Sequence, residues 1–117
     1  MALVNFDYLT RTFDHDWDII FEVTAEFAST APGQLEKLAD SLKQKNLTEA
    51  GRLFHSLKGS LKLLGADEGS EIAYSGELAS SDGDLDLTLS NFEKLQDMIS
   101  TIIRELDSLN GRNYAPK

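Results

Sequence analysis

Apolar residues recur along this chain at steps of three and four, the spacing that places side chains on one face of an α-helix. Phe6, Leu9 and Phe13 mark a short first helix within Asn5 to Phe13. Ile20, Val23, Phe27, Ala31, Leu35, Leu38 and Leu42 mark a long second one. Pro32-Gly33 interrupts it; proline removes a hydrogen bond and crowds the preceding turn, which predicts a kink or a split into two segments. A third helix, from about Leu47 to Leu64, buries Ala50, Leu53, Phe54, Leu57, Leu61 and Leu64. Asp67 to Ser80 gives the weakest pattern, a small face of Ile72, Ala73, Gly76 and Ala79 diluted by Gly69 and Gly76. The last helix is the clearest, through Leu85, Leu89, Phe92, Leu95, Ile99, Ile102, Leu106 and Leu109.

Punctuation agrees with these spans. Asp14 or Asp16 can cap the second helix, and the acidic first turn suits its dipole. Asn46 followed by Glu49 resembles a capping box for the third, and Gly65 is placed to end it. Lys43 to Asn46 and Ser80 to Asp84 are connections. Asn110-Gly111 is a stop signal, and residues 112–117 read as a frayed tail. No alternating apolar run suggests a strand. The expected fold is all-α: an antiparallel four-helix bundle with the short N-terminal helix as a lid. The whole chain, 1–117, reads as a single domain with a core of about 6–109.

Composition narrows the chemistry. The 117 residues are 41% hydrophobic, which suits one domain with a modest core rather than two. There is no cysteine, so disulfides and thiolate chemistry are excluded, and with only two histidines an all-protein catalytic metal site is not expected. His15 among Asp14, Asp16 and Asp18 reads as an exposed capping loop rather than a metal site. No apolar run approaches the roughly 18 residues of a membrane span. The N-terminus lacks the pattern of a signal peptide, so a cytoplasmic protein is expected. The net charge of −9 argues against nucleic acid and anionic lipid as partners.

The charge is uneven. Lys43, Lys45, Arg52, Lys58 and Lys62 face only Glu49 in the stretch they span. On the third helix, Gly51, Arg52, Lys58, Gly59 and Lys62 surround His55 on the face opposite the apolar one. This surface is basic, lean in bulk, and centred on an imidazole whose ordinary pKa of about 6.5 leaves a nucleophilic nitrogen available near neutrality. Lys58, one turn along, can reach phosphoryl oxygens. Gly59 gives clearance, although each glycine in a helix interior costs about 1 kcal/mol against alanine. Arg52 and Lys62, with Gly51, are candidates for partner docking; the two cations can equally serve the phosphate or only solubilise the helix. No Gly-rich phosphate loop is present, so phosphorylation from ATP is not expected.

His55-Ser56-Leu57-Lys58-Gly59-Ser60 resembles the His-x-x-Lys-Gly-Ser signature of histidine-containing phosphotransfer (HPt) domains, and Leu64-Gly65-Ala66 is similar to the Leu-Gly-Ala that commonly follows it. The likeness in layout covers about Phe6 to Leu109. It implies a phosphorelay intermediate: His55 accepts a phosphoryl group from a receiver-domain aspartate and passes it to another, Lys58 stabilises the phosphate, and Gly59 admits the partner. The implied partners are receiver domains of a hybrid sensor kinase or a response regulator, with Mg²⁺ supplied by the receiver and no cofactor of the chain's own. A free-standing monomer is expected. The alternatives are a non-catalytic adaptor that docks receivers and a histidine-kinase dimerisation domain. The latter usually carries an acidic residue after the histidine, where Ser56 stands here. Three positions depart from the family pattern. Phe54 and Leu61 stand where alanine is common, and Gly69 stands where a bulky apolar residue is frequent, which predicts looser packing near Gly69.

Overall fold

The computed structural model describes residues 2–111. They form α1 (Phe6–Thr12), α2 (Trp17–Lys43), α3 (Leu47–Leu63), α4 (Asp67–Ser81) and α5 (Leu85–Gly111), with no strand among the described residues. Helix α3 packs on α2 and α4, and α5 closes the ring against α4 and α2, as four helices around one core do. Helix α1 lies against α2, and Leu9 and Val4 plug one end of the core. The Glu105 carboxylate on α5 ties this segment down by accepting the backbone N–H groups of Leu3 and Val4 at 2.9 and 3.0 Å.

Helix α2 is continuous through Pro32, so the expected split does not occur. Pro32 is exposed, and water can serve the carbonyl that its missing N–H leaves without a partner. Phe27, Ala31 and Leu35 are buried on either side of it. Asp16, not Asp14, caps α2 by accepting the Ile19 N–H. The tail expected at 112–117 lies outside the described residues, and helical geometry runs through Asn110 and Gly111.

Every apolar position predicted for α3 is buried, from Ala50 to Leu64. Asn46 caps it through the Glu49 N–H at 3.1 Å. The reciprocal half of a capping box is missing, because the Asn46 N–H already donates to the Ser41 carbonyl at 2.8 Å. Gly65, at φ +68°, ends the helix as expected. The N–H groups of Gly65 and Ala66 fold back to the carbonyls of Lys62 and Leu61, a Schellman closure that a left-handed residue permits.

Two expectations about packing are corrected. At the start of α5, Thr88 is buried and Leu89 is 37% exposed. Counting back from Leu95 at 100° per residue, position 88 stays on the buried face and position 89 leaves it. The Thr88 hydroxyl is satisfied by the Asp84 carbonyl at 2.6 Å, so its burial leaves no open hydrogen bond. Nor is packing loose at Gly69, which is buried. A Cβ there would stand 3.2 Å from Leu61 Cδ2, so the larger Leu61 fills the space. Gly76 does the same for Phe54: its missing Cβ leaves room for a ring that would otherwise lie 2.4 Å away. The bulk gained on α3 is therefore matched by bulk lost on α4. Helix α4 buries only small residues (Gly69, Ser70, Ala73, Gly76, Ala79 and Ser80), which sets it close against α3.

Candidate functional site

Because Phe54 and Leu57 point into the core, the intervening turn carries His55 outward, with its side chain 66% exposed. The close seating of α4 then brings a residue to it that the sequence reading did not single out. The Glu77 carboxylate lies 2.9 Å from His55 Nδ1 through one oxygen and accepts from Lys58 Nζ at 2.8 Å through the other. Lys58 Nζ also sits over the Tyr74 ring, 4.8 Å from its centroid. Lys58 and Glu77 are each about three-quarters covered, at 22% and 27% exposure.

A carboxylate can only accept hydrogen bonds, so this contact places the His55 proton on Nδ1 and, in the neutral ring, the lone pair on Nε2. The Lys58 hydrogen bond is the main reason that the Glu77 carboxyl is held below its ordinary value of 4.5; burial opposes this, and the His55 contact adds to it. Glu77 is therefore ionised at neutral pH. A depressed folded value means that its contribution to stability is present above the unfolded value and is lost as pH falls through the folded one. The stability difference between the wild type and Glu77→Gln, measured by urea unfolding, is expected to be full at pH 7 and to shrink below about pH 4.5.

The remaining predicted positions divide. Gly59 is exposed, and a Cβ there would meet nothing within 4 Å, so the fold itself does not require a glycine. Gly51 is half-buried and faces Ser80, whose Cβ would lie 3.4 Å from an added methyl. It lets α3 and α4 approach and lines the hollow beside His55 with Thr48, Arg52 and Ser81. Arg52 is paired with Glu49 on its own helix, with Nε at 3.0 Å, which raises the guanidinium pKa and lowers that of Glu49. Lys62 is exposed, two turns from His55. On the α2 side, Gln34 donates to the Ser56 hydroxyl at 3.3 Å.

Among the described residues, no group of three or more His, Asp or Glu side chains can hold a metal, and His15 is exposed in its loop. No helix among them is long and apolar enough to cross a membrane. What remains is an exposed, tautomerically defined imidazole with an ammonium one turn away and an open approach. Such a group is suited to accepting an electrophilic phosphorus from a second molecule.

A family model described as the Hpt domain matches residues 22–105, a span that contains His55, Lys58 and Glu77. No curated protein and no solved structure matches the chain.

Proposed function

The chain belongs to the Hpt domain family, which serves histidine-containing phosphotransfer in two-component signalling, and from that premise we propose that His55 is the phosphoryl carrier between two receiver-domain aspartates. The observation that carries this reading is the Glu77 contact to Nδ1, which leaves Nε2 as the outward nucleophile. In the forward step, Nε2 attacks the phosphorus of an aspartyl phosphate. The P–O bond breaks, its electron pair leaves on the aspartate, and the ring keeps the Nδ1 proton. The phosphoimidazolium so formed has Glu77 as its counter-charge. The reverse step, to another aspartate, delivers the group onward. Mg²⁺ in this reading belongs to the receiver, whose site is acidic; this chain contributes Lys58 as its own cation near the phosphoryl oxygens. The partners are receivers of a sensor kinase, a response regulator or both.

A kinase dimerisation domain, by contrast, needs a second chain to complete its four helices. Here one chain supplies all four.

The test is incubation with a phosphorylated receiver domain. Labelled phosphate is expected to move to the wild type and not at all to His55→Gln. Binding of the receiver without labelling of the wild type would instead establish a docking adaptor.

A further inference from the structure

The Lys58 ammonium is already engaged. One hydrogen bond goes to Glu77, and its remaining exposure is reduced by the Tyr74 ring. Both partners lie on α4, while the nitrogen that is to carry the phosphoryl group lies on α3 and points to solvent. An ammonium has three donors, so it can turn from this pair toward a stronger acceptor when one is offered. We propose that Tyr74 and Glu77 form a holding site on α4 that keeps the Lys58 ammonium in reserve until His55 is phosphorylated. The inference rests on His55 being the phosphoryl acceptor.

The exchange follows from the acceptors on offer. A carboxylate and an aromatic face hold the ammonium before the reaction. A phosphoryl group on Nε2 adds about two negative charges and three acceptor oxygens one helical turn away. Lysine is a mobile point charge on a flexible stem, so it can cross that distance without moving the backbone. Glu77 then keeps the Nδ1 proton as its sole donor and remains the counter-charge of the ring. A carboxylate suits this double duty: it accepts from two donors at once, whereas an amide at position 77 has one acceptor oxygen and would leave one of them facing an NH₂ group. Tyr74 is 49% exposed and touches the reaction only through Lys58, which makes it a positioning residue.

Phosphoramidate tests this without any receiver. His55 Nε2 attacks its phosphorus, the P–N bond breaks, and the electron pair leaves with ammonia. In the unphosphorylated protein the Lys58 Hε protons should resonate upfield in the ring current of Tyr74. On phosphorylation of His55 they should return to ordinary positions. Tyr74→Leu should raise the rate of His55 labelling two- to fivefold, the factor that an exposed cation–π contact represents, and should lose that effect in a Lys58→Met background. Persistence of the upfield shift after phosphorylation would overturn the holding site. So would a Tyr74→Leu effect that is absent, or one that survives in Lys58→Met. If these results are as expected but no receiver transfers to the protein, the holding site stands and the relay reading fails.

Discussion

Gly76→Ala is expected to cost the protein about 1–3 kcal/mol, and a thermal melt should show a loss of roughly 5–10 °C. The added methyl would lie 2.4–2.6 Å from three atoms of the Phe54 ring. That ring is fully buried, so it cannot swing into solvent, and the helix backbone of α4 must move instead. The gain of about 1 kcal/mol in helix propensity does not offset such a clash. Phe54→Ala alone should also destabilise, by about 3–5 kcal/mol, because it opens a cavity. Combined, the two changes should cost much less than their sum, since each removes the cause of the other's penalty. Equal additivity would show that the ring and the glycine do not share this space. Displacing α4 also carries Glu77 away from His55, so Gly76→Ala should slow labelling of His55 beyond what its unfolded fraction explains.

Gly59→Gln should have effects of opposite sign on stability and function. Position 59 is an exposed helix interior in which an added Cβ meets nothing within 4 Å, so glutamine should stabilise the fold by about 0.5–1 kcal/mol. It also stands one turn, about 6 Å, from His55 on the open face. A long side chain there obstructs a receiver that must bring its aspartate to Nε2. Transfer from a phosphorylated receiver should fall by about a hundredfold, the scale set by a misplacement of about 1 Å at a reacting centre. Labelling by phosphoramidate, a far smaller donor, should change little. Loss of both activities together would show that Gly59 acts on the imidazole itself rather than on the approach of a partner.

The helices and the outward histidine were legible because α2, α3 and α5 alternate large apolar and charged residues over many turns, and such contrast survives a poor local signal at Pro32. The role of α4 was hidden. Its buried face is built from glycine, alanine and serine, residues that mark no face by size or hydropathy. Their meaning lies in Phe54 and Leu61 across the interface, and the pairing depends on the rotation and register of two helices, which no single-helix period encodes. Glu77 was missed for the same reason. An acidic residue next to a weakly apolar stripe is ordinary until α4 is set against α3, and only then does it meet both His55 and Lys58. Arg52 shows the reverse: its place on the basic face was plain, but its partner Glu49 is on its own helix, three residues back. The assignment of chemistry to His55 came from the resemblance of the His-x-x-Lys-Gly-Ser stretch, which the Hpt match supports at the level of the family.

The central claim is that His55 Nε2 carries the phosphoryl group, and the most direct measurement is to locate that group on the ring. Protein labelled with ¹⁵N in its histidines would be phosphorylated by a receiver domain and read by ¹⁵N and ³¹P NMR under alkaline conditions, where phosphohistidine persists. The account predicts one phosphorylated residue, His55, bonded at Nε2. Phosphate bonded to Nδ1, carried on His15, or held by an aspartate in an alkali-labile bond would contradict it.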